Sequence, residues 1–236
     1  MQVAALWRYP VKSLQGERVH ATAVDHRGLE GDRRWAIVDP SSGFTLTARR
    51  VPELLFASAA LDDEHGVRIT LDDGSSPAGD ADLSDWLGRR VALVTAGQRG
   101  GLYETPVDPE REDGEWRQWR GPGGAFHDSA RTKVSLVSTG SMGPWDERRF
   151  RANVVVDGRV DEEVALVGSS VTIGSARLDV VKRIDRCVVV GRAQPGITRD
   201  LDVLRRLARE RDACIGVACM VPAPGTIVVG DRVRTG

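Results

Sequence analysis

The sequence predicts a mainly β protein of β-barrel type with a few short helices. Three observations carry this. Most of the chain is short β-branched runs cut by Gly, Pro and Asp, the punctuation of many short strands. Only two stretches have helical periodicity. And 236 residues with 41% hydrophobic and 28% charged content suffice for one large domain or two small ones, each with its own core.

The elements follow in order. Val3 to Tyr9 reads as a strand ended by Pro10, and Val19 to Val24 as a second, before the turn His26-Arg27-Gly28. Arg34 to Val38 is a buried strand stopped by Asp39-Pro40-Ser41-Ser42-Gly43, and Phe44 to Ala48 follows at hairpin spacing. Ala57–Leu61 and Gly66–Leu71 flank an acidic turn. Asp82 to Gly88 reads as a short helix: Leu83, Trp86 and Leu87 share a face, and Gly88 can end it. Val91–Val94 is another strand. Residues 97–124 are rich in Gly, Pro, Arg and acids and read as a long loop or linker.

Beyond it, Val134–Val137, Ala152–Val156, Ser170–Ile173 and Ala176–Ile184 read as strands, with a turn at Gly140–Gly143. Asp200 to Arg211 is the strongest helix, with Leu201, Leu204, Leu207 and Ala208 as its buried stripe and Thr198 as its cap. Ile215–Val221 and Ile227–Val233 complete the strands. The expected organisation is an N-terminal β-barrel region over 1–96, whose first strands pack with the C-terminal unit, a linker over 97–124, and a second β domain over 125–236.

The formal net charge of −1 singles out neither nucleic acid nor a membrane surface as partner. No stretch approaches the roughly 18 apolar residues of a membrane span. The first ten residues lack the pattern of a secretory signal, and three cysteines do not make a disulfide framework. The expected compartment is a reducing cytoplasm.

Cys187 is the residue richest in chemistry. It lies between the cations Lys182, Arg183 and Arg186 and the run Val188-Val189-Val190. Neighbouring cations favour the thiolate, a strong ligand for soft metals. Cys214 and Cys219, at C-x4-C spacing, resemble a zinc half-site. A strand alternating without interruption sends residues five apart to opposite faces, so two core thiols is the plainer reading. Lys12 and Ser13 follow a strand and a proline, where a charge, a hydroxyl and free backbone N–H groups can wrap an anion.

Five segments, in order along nearly the whole chain, resemble the MOSC family, whose domains bind molybdenum cofactor. They are Tyr9-Pro10-Val11-Lys12-Ser13; Gly31-Asp32-Arg33-Arg34-Trp35; Arg149-Phe150-Arg151-Ala152-Asn153; the Cys187 segment; and Gly225-Thr226-Ile227-Val228-Val229-Gly230-Asp231. Thr47-Ala48-Arg49-Arg50 follows the pattern as well. The resemblance implies that Cys187 ligates molybdenum. It implies that Lys12, Ser13 and Arg33 hold the phosphate of the molybdopterin, with Arg49 close by. It further implies that Arg149, Arg151 and Asn153 contact the pterin and that Ser138 and Thr139 supply hydroxyls near it. Asp231 is a candidate proton relay near the metal, with a Gly-Asp turn before the last strand as the plainer reading.

By its likeness to the mitochondrial amidoxime-reducing component and bacterial relatives, the chain is expected to reduce N-hydroxylated or N-oxide small molecules. The electrons would come from a separate ferredoxin or flavoprotein reductase, since these residues contain no four-cysteine cluster motif. One departure stands out. Reductases of the family carry two threonines and then an Asp-Pro turn after the metal cysteine. Here the sequence is Val188-Val189-Val190-Gly191-Arg192-Ala193-Gln194-Pro195-Gly196. The lost hydroxyls bear on the substrate and the reaction more than on cofactor binding. They leave open two other readings: a cofactor carrier or sulfur-transfer module without turnover, and a scaffold recruited to biosynthesis.

Overall fold

A computed structural model describes residues 1–62, 66–108 and 114–235. The strands are β1 (Gln2–Arg8), β2 (Glu17–Val19), β3 (Ala21–Asp25), β4 (Gly28–Leu29), β5 (Trp35–Val38), β6 (Ser58–Leu61), β7 (Val67–Thr70), β8 (Ala92–Thr95), β9 (Leu102–Pro106) and β10 (Trp116–Arg120). They continue with β11 (Val134–Ser138), β12 (Val154–Asp157), β13 (Ser170–Ile173), β14 (Ala176–Asp185), β15 (Cys214–Ala223), β16 (Gly225–Val228) and β17 (Val233–Thr235). Helices α1 (Asp80–Leu87), α2 (Thr139–Met142) and α3 (Asp202–Arg211) are short. The fold is mainly β, built on a curled half-barrel sheet.

That sheet has eight strands in the order β17-β13-β14-β15-β11-β12-β1-β2. The first strand of the chain therefore belongs to the C-terminal sheet: β1 pairs antiparallel with β12, Leu6 opposite Val154. Both faces of the sheet are covered. Leu6, Leu136, Val154, Val156 and Val217 face one core. Their neighbours Ala5, Trp7, Val137, Val155 and Ile215 face a second core under α3. A strand buried on both sides reads as a continuous apolar run, which is why these segments stand out in the sequence.

A separate core fills the N-terminal half, where Val11, Leu14, Ile37, Leu54, Ile69 and Leu83 meet. Strand β5 pairs with β8 and β6 with β7. Helix α1 buries Leu83 and half-buries Trp86 and Leu87, and Gly88 closes it in the left-handed conformation at φ 61°.

Several expectations are corrected. Residues 97–124 hold a β-hairpin, β9 with β10, in register from Leu102–Arg120 to Pro106–Trp116. Its signal was masked because neither strand alternates cleanly; Tyr103 stacks on Trp119 at 4.6 Å and supplies the missing apolar contact. Residues 109–113 of that stretch, and most of the acidic turn expected after Leu61, lie outside the described residues. Phe44 to Ala48 forms only isolated bridges, Val38 to Thr45 and Phe44 to Leu102. Gly140–Gly143 falls largely in α2, which Ser138 caps by accepting from Ser141 N–H at 3.1 Å. The stretch Ile227–Val233 splits into β16 and β17 at the turn around Gly230.

Helix α3 starts at Asp202 with no side-chain cap, so Thr198 does not cap it. Its buried residues are Val203 and Leu207; Leu201 is exposed and so is Ala208. Leu201 stands before the first helical residue, and the stripe runs through Val203 and Leu207 with Leu204 partly buried beside them.

Gly216 breaks the alternation of β15. Its φ is +75°, and a Cβ there would stand 2.8 Å from Leu136 O, so only glycine fits. The pairing of β14 with β15 shifts around it, and the simple face argument for Cys214 and Cys219 does not carry across this bulge. Among the described residues no helix is long and apolar enough to cross a membrane.

Replacing Ser138 by Ala removes the α2 cap and should lower stability by about 1–2 kcal/mol; equilibrium urea denaturation measures it.

Candidate functional site

A cavity of about 540 Å³ opens where the two halves of the chain meet, within the usual range for a small-molecule site. Lys12, Ser13, Arg33, Arg49, Arg149, Arg151, Asn153 and Cys187 all line it. Its wall carries eight Lys or Arg residues against three carboxylates, Glu104, Asp128 and Asp185, in a chain whose net charge is only −1. The excess of cations is local, as a polyanionic ligand requires.

The strand β1 runs out at Arg8, and the backbone of Tyr9 to Lys12 then lies along β5. Arg33 N–H donates to Tyr9 O at 2.7 Å, Trp35 N–H to Pro10 O at 3.0 Å and Lys12 N–H to Trp35 O at 2.8 Å. This brings Lys12, Ser13 and Arg33 to one rim. Ser13, Arg33 and Arg151 have φ of 71°, 51° and 50°. Left-handed backbone at a non-glycine residue is strained and clusters at functional sites. Here all three bends sit on the cavity.

Lys12 is buried. Its Nζ donates to Asp128 at 2.6 Å and stands 5.1 Å over the Tyr103 ring. Burial lowers its pKa, and the Asp128 carboxylate opposes the shift. Ser13 Oγ accepts from Ala48 N–H at 3.0 Å, which seats the Thr47–Arg50 turn and Arg49 on the rim. The Arg33 guanidinium pairs with the buried Asp32 carboxylate, and Arg33 Nη1 and Nη2 also reach Asn153 Oδ1 and Arg151 O, each at 3.4 Å.

Arg151 lies over Tyr9 at 4.5 Å, a cation–π contact, and commits Nη1 to Leu14 O at 2.7 Å. Burial lowers its pKa to about 10, so it stays charged at neutral pH. Asn153 is differently placed from what a pterin reader needs. Its Oδ1 already accepts from Ser135 N–H at 3.2 Å and Ser135 Oγ at 2.9 Å, and Nδ2 donates to Trp7 O at 3.3 Å. Its amide joins β1 to β11 while one edge faces the cavity.

Cys187 is half-buried in the cavity wall, just before a single 3-10 turn over Val188–Gly191. Next to it Arg186 is an internal staple: Nε and Nη2 donate to Ile215 O, and Nη1 to Phe150 O at 2.7 Å. Burial takes its pKa down to about 10. Arg149 is likewise committed to backbone oxygens, of Val190, Arg192 and Thr198. Lys182 lies 3.8 Å from Asp185 on the same wall.

Three candidates are not brought to this site. Ser138 is fully buried as the α2 cap, its hydroxyl also donating to Arg159 O at 2.8 Å. Thr139 is exposed at the start of that helix, near Gly158 O. The Asp231 carboxylate accepts from Val228 N–H at 2.8 Å and closes the turn after β16. Ser138 and Asp231 accept backbone N–H groups of their own turns, as serine and aspartate do readily, and Thr139 lies against the Gly158 backbone.

Other residues line the cavity without having stood out in the sequence: Tyr103 and Trp119 from the β9–β10 hairpin, and His127, Asp128 and Lys133. His127 is buried, with Nε2 at 2.7 Å from Arg27 O. Burial first, then the Arg33 charge, push its pKa down to about 4. Nε2 therefore carries the proton and donates to Arg27 O. The Cys219 thiol is buried in the sheet and pushed up to about 12, while burial also raises Cys214. Among the described residues no three metal-capable side chains converge.

The sequence matches two family models. One, described as the MOSC N-terminal beta barrel domain, matches residues 1–100; the other, the MOSC domain, matches residues 123–234. No curated protein matches. Among solved structures, the YUAD protein from Bacillus subtilis is 16% identical with a TM-score of 0.47, covering 98% of this chain and 93% of that one. YiiM from Geobacillus stearothermophilus is 14% identical with a TM-score of 0.37, covering 59% and 74%. A structure titled only as a hypothetical protein is 10% identical with a TM-score of 0.43, covering 100% and 67%.

A prediction follows from His127. In the unfolded chain it takes up a proton near pH 6.5, but in the folded protein only near pH 4. The unfolded state binds the extra proton between these values, so stability is complete above about pH 6.5 and falls as pH drops toward 4, by on the order of 3 kcal/mol. Urea denaturation at pH 7.5 and pH 5 should show about 2 kcal/mol of this loss, the part that falls above pH 5, and His127→Asn should remove most of it.

Proposed function

Because the chain belongs to the MOSC family, with a MOSC N-terminal β-barrel unit ahead of a MOSC domain, we propose that its cavity binds molybdenum cofactor and that Cys187 supplies the protein's ligand to the metal. The observation that carries this reading is the pairing, in the lining of one cavity, of the cations Lys12, Arg33 and Arg151 with a half-buried thiol, Cys187.

The donor set fits such a group. Lysine and arginine side chains, with the Ser13 hydroxyl, suit a phosphate. A thiolate suits a soft metal, and since no three metal-capable side chains converge among the described residues, Cys187 would contribute one bond and the cofactor the others. When bound, the cofactor supplies a metal that exchanges electrons and an oxygen atom with substrate. The protein's part is to hold it. Lys12, Ser13, Arg33 and Arg49 would take the phosphate end, Arg151 the pterin, and Cys187 the metal, while Asn153 holds the strands behind them.

The reaction we infer is a two-electron reduction of an N-hydroxylated or N-oxide small molecule, with its oxygen released as water. The two electrons come from a separate ferredoxin or flavoprotein. Asp185, exposed beside Cys187, can pass solvent protons to that end of the cavity. A second reading, a carrier that holds the cofactor without turnover, is favoured by one feature: Val188 to Gly191 carry no hydroxyl, and Val190 turns away into the core beneath α3.

Two measurements test the proposal. Protein from a cofactor-producing host should contain stoichiometric molybdenum by elemental analysis, and Cys187→Ala should lose it with an unchanged far-ultraviolet circular dichroism spectrum. Full metal retention in Cys187→Ala removes it from the ligand role. Lys12→Ala should release cofactor roughly tenfold faster, as expected for one lost charge-assisted bond to phosphate; an unchanged release rate removes Lys12 from the phosphate site. Turnover of an N-hydroxylated compound by the loaded protein separates the reductase from the carrier.

A further inference from the structure

The chain leaving Cys187 has little regular structure of its own. After the 3-10 turn Val188–Gly191, it runs to α3 with only an isolated bridge between Gln194 and Ile197. Segments of this kind wander unless side chains hold them. Here they are held from two sides. Arg149, 6% exposed, donates from Nη1 to Val190 O at 3.0 Å and to Arg192 O at 3.4 Å, and from Nη2 to Thr198 O at 2.7 Å. From the N-terminal half, Gln15 Nε2 donates to the buried Gln194 Oε1 at 2.6 Å.

The three carbonyls span nine residues of chain and converge on one planar guanidinium. A lysine could reach one of them, because its ammonium is a single point rather than a fork. The connection to the thiol is short. Val190 N–H donates to Cys187 O at 3.2 Å, so the residue whose carbonyl Arg149 grips also closes, through its N–H, the turn that starts at Cys187. A fork that fixes Val190 thereby holds the carbonyl of Cys187, one side of the residue that carries the thiol.

We propose that Arg149 is a positioning residue for the Cys187 thiol, acting through the strap 188–200 and not through contact with a ligand. This departs from the pterin-contacting role that the family resemblance implies for it. The consequence for metal binding rests on reading Cys187 as the ligand; the consequence for the thiol itself does not.

The test uses the full-length chain without metal. Cys187 and Cys214 are both half-buried; Cys214 lies on β15 opposite Asp185, and the bonds of Arg149 go to Val190, Arg192 and Thr198, not to its strand. Iodoacetamide alkylation of each thiol, followed by peptide mass spectrometry at one pH, therefore carries its own reference. Arg149→Met should speed alkylation of Cys187 roughly tenfold and leave Cys214 unchanged, and Arg149→Lys should fall between. Equal acceleration of both thiols would mean that Arg149 supports the fold in general, and no change in a folded Arg149→Met would mean that the strap does not set the thiol; either overturns the proposal. Should Arg149→Met fail to fold, Arg149→Lys and Gln194→Ala decide, and wild-type Cys187 rates in both overturn it. If alkylation separates as expected but wild-type protein from a cofactor-producing host holds no molybdenum, the metal-ligand reading has failed and the positioning role stands.

Discussion

The carboxylate of Asp32 is buried and must be neutralised there, and the way this happens assembles the site. It accepts the backbone N–H of Tyr9 at 2.8 Å and pairs with Arg33. Arg33 in turn bonds Tyr9 O, lies over the Tyr9 ring and reaches Asn153 and Arg151 O, while its own carbonyl accepts Phe126 N–H. One ion pair thus ties together the end of β1, the turn before β5, the segment before β12 and the loop carrying His127 and Asp128. Removing one partner of a buried pair leaves an uncompensated charge and typically costs about 3–5 kcal/mol. A tie that strong lets strained residues persist around it. Ser13 and Arg151 hold left-handed backbone on either side of Arg33, and this aims their side chains at one cavity.

The arginines of the site divide by what their donors do. Arg149 and Arg186 point theirs at main-chain oxygens and hold the chain on both sides of Cys187. Arg151 commits a single N–H to Leu14 O and keeps its charge against the Tyr9 face and the cavity. A guanidinium has five donors in a fixed fork, so the same residue type can serve as a structural splice or as an anion receptor. The choice depends on whether carbonyls or open space surround it.

The strands of the eight-stranded sheet were legible because burial on both faces writes them as continuous apolar runs, as in Val134–Val137 and Val154–Val156. The β9–β10 hairpin was not, since its charged residues hide a stability that comes from Tyr103 on Trp119 and from Arg50 against Trp116, contacts distant in sequence. Motif order pointed to Lys12, Arg33, Arg151 and Cys187, and these share a cavity. Ser138, Thr139 and Asp231 looked equally polar and equally well spaced. Their side chains are taken up by backbone groups of Arg159, Gly158 and Val228, and a short polar motif reads the same whether it holds backbone or faces a ligand.

By itself, then, the amino-acid sequence determined what local spacing controls: the β class, the two amphipathic helices, the left-handed close of α1 at Gly88, and the family to which the motifs belong. The tertiary structure alone decided what depends on contacts across the chain. It put β1 beside β12, bulged β15 at Gly216, drew His127 and Asp128 into the cavity wall, and committed donors of Arg149 to the carbonyls of the segment after the thiol. The physical reason is that side-chain periodicity is set by neighbours two to four residues away. A donor's partner, by contrast, is set by whichever carbonyl or carboxylate the folded chain brings within about 3 Å of it.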